Sequence, residues 1–431
     1  MLVLRLIPQT RMRLFFGAQG PAQPAWRRKL GSRIYFDHSA TTPLDPRVFV
    51  LMEPYLLDDF GNPSSLHREG RKAREAVETA RAQVAALFGA APSEIAFTGS
   101  GTEADNLAIL GSIRAGTGSA HIVTSSIEHA GVLEPCRFLE RFGVKVDYLP
   151  VDSYGLVDPE NLRRALRPET RLVSIMAANN VVGTLQPIAE LARIAKQHGA
   201  LFHTDAVQAA GKMRLDVNEL PADLISLSAH KLHGPKGVGA LYVRDGVELN
   251  PIVLGGGQER GLRSATENVA GIVGFGAAAA LAREEMEEEA RDLVRLREYL
   301  LARLRATMPH AYLIGHPVKR LPGHLCLGFA GQEGEVLQLL TALDEAGVAV
   351  SSGSACSAHH AGAPSEILLA MGFDSQRAKG SLRVTLGRFS TESEVNRFLE
   401  ILPRALAAPG LAAARDDSPR NVELSVAQAR N

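Results

Sequence analysis

Arg171-Leu-Val-Ser-Ile-Met176 is a short apolar run, residues 187–198 repeat their apolar positions at helical spacing, and Leu201-Phe-His-Thr-Asp205 is a second apolar run. Short runs rich in β-branched and aromatic residues read as buried strands. Proline at position 187 suits a helix start, where its missing N–H costs nothing. The three pieces form a strand–helix–strand unit. Working outward, the same alternation recurs. Ala73, Ala76, Val77, Ala80, Val84, Leu87 and Phe88 fall on one helical face and Gly89 ends it. Strands are expected at 94–98, 121–125, 145–151, 224–227 and 239–244, with helices at 102–110, 132–142 and 159–166. This is an α/β pattern, a mostly parallel sheet covered by helices on both faces. Ligands of such sheets sit beyond the carboxyl ends of the strands.

A break at Gly255-Gly-Gly257 ends that pattern. Beyond it the spacing predicts a long helix over 267–308, strands near 325–329 and 382–386, and helices near 333–346 and 392–402. These form a second, smaller α/β domain. The organisation read from the chain is a large domain over 48–262 and a smaller one from 34–47 together with 263–410. Residues 411–431 read as an unstructured tail. Residues 1–33 form a basic tail with Arg5, Arg11, Arg13, Arg27, Arg28, Lys29 and Arg33 and no acidic residue. It reads as disorder or organelle targeting, and the protein is expected in the cytoplasm.

Composition excludes several classes. Lys+Arg is 47 and Asp+Glu is 47, so the chain lacks the positive surplus of a general nucleic-acid binder. The longest apolar run, 269–282, falls short of the roughly 20 residues that cross a bilayer. Three cysteines are too few and too scattered for a disulfide framework or a tetrahedral zinc site. No Gly-x-x-x-x-Gly-Lys-Ser/Thr or Gly-x-Gly-x-x-Gly follows a strand, which argues against a nucleotide-binding enzyme. No metal site is read.

Chemistry concentrates at strand ends. In Ser226-Leu-Ser-Ala-His-Lys-Leu-His-Gly-Pro-Lys-Gly-Val-Gly239, a strand stops and Ser228, His230 and Lys231 follow at once. A desolvated lysine can form a Schiff base with a carbonyl cofactor. Thr98-Gly-Ser-Gly-Thr102-Glu joins a strand to a helix, which makes either a phosphate cradle at Gly101 and Thr102 or an ordinary helix cap. Asp205 ends a strand among apolar neighbours, where a carboxylate suits a protonated ring nitrogen or caps the next helix. Gln208 is placed to reach a ring hydroxyl. His129 follows another strand and can stack on an aromatic ring. Asn179-Asn180 ends a further one, in a turn or against a cofactor substituent. A phosphate cradle, a flat stacking group, an amide, an anion and an amine together describe a pyridoxal 5'-phosphate site.

These residues resemble a known family. Asp37-His-Ser-Ala-Thr-Thr-Pro43, Gly61-Asn-Pro63, Ser100-Gly-Thr-Glu103, Glu128-His129, Asp205-Ala-Val-Gln208, Ser228-Ala-His-Lys231 and Gly234-Pro-Lys-Gly-Val-Gly239 are similar to the cysteine desulfurases. Those are fold-type-I pyridoxal phosphate enzymes of the class-V aminotransferase group, with a fold like aspartate aminotransferase. The resemblance covers about residues 34–406. It implies that Lys231 holds the cofactor, His129 stacks on it, Asp205 pairs with the ring nitrogen, and Gln208 and Asn180 meet its polar substituents. Gly101, Thr102, Ser228 and His230 would hold the phosphate, and Thr266 would reach the phosphate of a second subunit in a homodimer. Arg383 would clamp the substrate carboxylate, together with Asn180. Cys356, in the polar segment Ser351-Ser-Gly-Ser-Ala-Cys356-Ser, would be the sulfur acceptor. Cys136 and Cys326 read as core residues. The activity implied is that of a sulfurtransferase: L-cysteine gives L-alanine and a persulfide on Cys356, for a sulfur-acceptor protein such as an iron–sulfur scaffold. Selenocysteine lyase, an aminotransferase and a cofactor-free scaffold are the alternatives. Val181 stands where the family often has Glu, and the docking segment common in housekeeping members is not recognisable after residue 406.

Overall fold

The strands, in chain order, are β1 (Ile34–Tyr35), β2 (Ile95–Thr98), β3 (His121–Ser125), β4 (Lys145–Leu149), β5 (Thr170–Ser174), β6 (Leu201–Asp205), β7 (Leu224–Ser228), β8 (Gly239–Val243), β9 (Ala311–Ile314), β10 (His324–Phe329), β11 (Val348–Ala349), β12 (Ser351–Ser352) and β13 (Leu382–Thr385). They belong to a computed structural model that describes residue 31 and residues 33–113, 120–334, 336–353 and 363–407. Cys356 and the tails at 1–30 and 408–431 lie outside the described residues.

Seven strands form the large sheet in the order β2-β8-β7-β6-β5-β3-β4. Only β8 among them runs antiparallel to its neighbours. The parallel pairs align Ser174 with His203 and Asp205 with Ser226. Successive side chains on a strand point to opposite faces, and the core divides accordingly. Ile122, Leu172, Leu224 and Leu241 pack with the helices Gly101–Ser112 and Ala130–Glu140. Val123, Val173, Ile225 and Tyr242 pack with the helices Arg68–Leu87 and Ile188–His198. Both faces are buried, so the strands read as continuous apolar runs rather than alternating ones.

Local chemistry sets the helix ends. Ser100 Oγ accepts the Glu103 N–H at 3.1 Å, which starts the helix at Gly101. Gly199, at φ 85°, ends Ile188–His198 in the left-handed region. The helix expected over 132–142 begins at Ala130, because the His129 ring accepts the Gly131 N–H at 3.0 Å. The helix Pro46–Leu57 had no expected counterpart. It rests on Asp45, whose carboxylate accepts the Arg47 N–H at 2.9 Å, with proline at the first helical position.

A second core gathers Ile34, Phe36, Leu293, Leu300, Leu325, Leu343, Val384 and Phe398 around the antiparallel sheet β12-β13-β10-β9. Strand β1 pairs with β11, which ties the N-terminal segment into this core. The helix Val269–Thr307 belongs to both cores. Ile272, Phe275 and Leu281 lie in the large one, whereas Leu293, Leu296 and Leu300 lie in the small one. The chain passes from one core to the other within this helix. Among the described residues no helix is long and apolar enough to cross a membrane.

Candidate active site

Strand β7 ends at Ser228 and turns through Ala229–Lys231. The segment of residues 37–45 is fastened to that turn. Thr42 donates through N and Oγ1 to the His230 carbonyl at 3.0 and 2.9 Å, and the His233 N–H donates to Thr42 Oγ1 at 2.8 Å. The Lys231 amine donates to the carbonyls of Ser39 and of Ala40, the latter at 2.8 Å. His230 Nδ1 lies 3.1 Å from Thr41 Oγ1. Burial, and then the Lys231 charge, push the His230 imidazole down to about 4, which leaves it neutral.

Asp205, at the end of β6, is buried and accepts the Val207 N–H at 2.8 Å. Burial raises its pKa, while His129, the Val207 N–H and Lys231 oppose the rise. Oxygen or nitrogen atoms of Asp205, His129 and Asp105 lie within 4.8 Å of one another. Asp105 comes from the helix Gly101–Ser112, and burial followed by the Asp205 charge holds it well above the ordinary carboxyl range. Each of two buried carboxyls this close disfavours the charged form of the other. Behind them His203 bridges Ser174 Oγ at 2.8 Å and Ser226 Oγ at 2.9 Å, and burial drops its pKa to about 3. Glu128 pins the turn that carries His129. Its carboxyl accepts from Ser125 Oγ at 2.6 Å and from the Met176 N–H at 3.0 Å, and burial raises it to about 8.

Gly101 sits against Ser228. A Cβ at 101 would stand 3.2 Å from Ser228 Cβ and 2.8 Å from Val207 Cγ2. With the Glu103 N–H taken by Ser100, the N–H groups of Gly101 and Thr102 lack partners within their own helix. Such a helix start favours an anion. Gln208 donates through Nε2 to the Ser39 carbonyl at 2.9 Å.

Arg383, 2% exposed on β13, donates to Asp37 Oδ1 at 2.9 Å and to the Asn180 carbonyl at 3.1 Å. The expected clamp for a substrate carboxylate is thus engaged with a carboxylate of the chain itself. Val181 is buried, and its carbonyl accepts from His324 Nε2 at 2.8 Å. His129, Asn180, Val181, Gly353 and Ser365 line a cleft of about 190 Å³. Ser365 Oγ donates to the Gly353 carbonyl at 3.1 Å, which joins the two flanks of residues 354–362 at the rim of this cleft. Thr266 is exposed, next to Ala265 at φ 121°. Cys136 and Cys326 are buried, and burial raises their thiols to about 12 and about 11.

Sequence reasoning missed Asp37, Ser39 and Asp105. Asp105 had a signal, an acid on the apolar face of a helix between Ala104 and Leu107. Asp37 and Ser39 had none beyond their place in a quoted motif.

Residues 34–398 match the aminotransferase class-V family, and the chain belongs to it. The fold is the fold-type-I architecture of that group. A cysteine desulfurase (IscS) of Dictyoglomus turgidum is 48% identical over 374 residues, covering 86% of this chain and 94% of the relative. A solved NifS-like protein superposes with a TM-score of 0.81 at 41% identity, covering 87% of this chain and 99% of the other. SspA, solved in complex with cysteine, has a TM-score of 0.73 at 36% identity, covering 83% of this chain and 100% of the other. Within class V the chain is a member of the cysteine desulfurases.

Proposed function

We infer that this protein removes sulfur from L-cysteine with the help of pyridoxal 5'-phosphate, releasing L-alanine and leaving a persulfide on Cys356. The observation that carries the reading is an amine, Lys231, at the tip of β7, held by the Ser39 and Ala40 carbonyls at the same strand ends that carry the buried Asp205 carboxyl. The residues fit the cofactor. Asp205 is a buried carboxyl with no arginine or lysine salt bridge among the described residues, which leaves it for a protonated ring nitrogen. The space at Gly101 excludes even a Cβ, so backbone amides can close on a phosphate. When bound, pyridoxal phosphate supplies the electron sink for the bond pair at the substrate Cα.

The chain supplies the rest. Lys231 holds the cofactor and moves the proton at Cα. His129 stacks on the ring and holds a proton at the substrate sulfur. Gly101, Thr102, Ser228 and His230 bind the phosphate, while Gln208 and Asn180 orient the ring. Arg383 transfers its fork from Asp37 to the substrate carboxylate, a bidentate task suited to guanidinium. The Cys356 thiolate attacks the substrate sulfur. The S–S bond forms as the Cβ–S bond breaks, and the released pair is protonated at Cβ, so cysteine plus thiol balance alanine plus persulfide. Both flanks of residues 354–362 meet at the cleft beside His129, which supports reach. Thr266 faces the phosphate of a second copy, and exposed Leu56, Leu57, Phe60 and Leu66 offer that copy an apolar face. Sulfur then passes to an acceptor such as an iron–sulfur scaffold, in the cytoplasm.

Borohydride reduction should leave a pyridoxyl group on Lys231, and cysteine with a reductant should yield alanine and sulfide. C356S should keep the cofactor and lose the protein persulfide. A persulfide formed by C356S would overturn the acceptor assignment.

A further inference from the structure

Lys212 lies one turn beyond Gln208, and its Nζ donates to Gln208 Oε1 at 3.4 Å. At the other end of the same amide, Nε2 donates to the Ser39 carbonyl at 2.9 Å. A backbone carbonyl only accepts and an ammonium only donates. The two contacts therefore demand the same orientation of an amide whose ends are otherwise interchangeable. One N–H of Gln208 remains for a ligand.

The surroundings concentrate charge. Lys212 lines a small cavity with Lys231 and His233 from the turn after β7, His38 from the N-terminal segment, Glu289 from the long helix, and Arg388 after β13. Burial and then the Lys231 charge lower the Lys212 amine to about 7, against the pull of Glu289. Its charge is thus poised to change near neutrality.

We propose that Lys212 is a positioning residue for the cofactor: it locks the Gln208 amide with its N–H toward the ring hydroxyl and polarises that donor. The proposal rests on the reading of Lys231 and Gln208 as cofactor ligands. A donor to the ring oxygen disfavours protonation of the chromophore, and the Lys212 charge on the far end of the amide strengthens that donor. Removing either moves its titration the same way.

The test is the pH at which the visible band of the cofactor-loaded protein changes. In K212M this midpoint should rise by about one unit, the scale of one lost or weakened hydrogen bond to the chromophore, while K212R should stay near wild type. In a Q208A background, K212M should add little, because the effect runs through Gln208. K212Q gives the same reading should K212M fail to fold. An unchanged midpoint in K212M or K212Q, or a full shift persisting with Q208A, would overturn the proposal. Wild-type protein that yields no pyridoxyl-Lys231 on borohydride reduction would instead overturn the reading of the site on which it stands.

Discussion

Two clusters of buried carboxylates are held in opposite ways. Between the two cores, Asp45 bonds Arg47 at 2.7 Å and Arg388 at 3.0 Å, Glu285 bonds Arg47 at 2.5 Å, and Glu289 bonds Arg388 at 2.8 Å. Burial alone would raise Asp45, but the bonds and charge of Arg47, and then Arg388, bring it below its ordinary value. At the end of β6, Asp205 and the neighbouring Asp105 of the helix Gly101–Ser112 are also buried, and both are raised. Burying a charge costs several kcal/mol unless a partner compensates it. The first cluster carries its own compensation and is structural. The second leaves a charge for something brought from outside, which marks a binding site.

The contrast can be broken by substitution. The largest effect belongs to the covalent anchor: K231A should lose all visible absorbance and all alanine release, read by spectroscopy and amino-acid analysis. Next, R388M leaves Asp45 and Glu289 short of a cation and should cost about 3–5 kcal/mol of stability, the scale for breaking a buried pair. Denaturant unfolding measures it. D205N removes a carboxyl that His129, the Val207 N–H and Lys231 offset only in part. It should lower activity roughly 100-fold or more, yet leave the cofactor-free protein as stable as wild type at pH 7. Equal destabilisation by D205N and R388M would erase the distinction between the clusters.

The last effect concerns Glu128 and is read against pH. Its pKa is raised in the folded state, so its stabilisation is complete below the unfolded value near 4.5 and is lost as pH rises toward 8. Wild type should therefore lose stability relative to E128Q across that window, by at most about 1.4 kcal/mol per pH unit. Melting temperatures at pH 5 and 8 check it.

Much of the large sheet was legible because its strands are buried on both faces and short turns punctuate them. The strand-end residues Lys231, Asp205 and His129 were legible for the same reason: polar groups stand out where apolar runs stop. What was not legible depends on distance along the chain. Ser39 meets Lys231 across 192 positions and Asp37 meets Arg383 across 346. Neither local spacing nor propensity carries such pairings. Two-residue strands such as β1 and β11 have no periodicity to read.

The helix Val269–Thr307, about 60 Å long at the usual rise, supplies apolar side chains to one core and then the other, and between them offers Glu285 and Glu289 to the arginines. Neither half can unwind it without stripping the other. Calorimetry should record a single endotherm for the described body, and protease nicks near residue 287 should release no separately folded fragment.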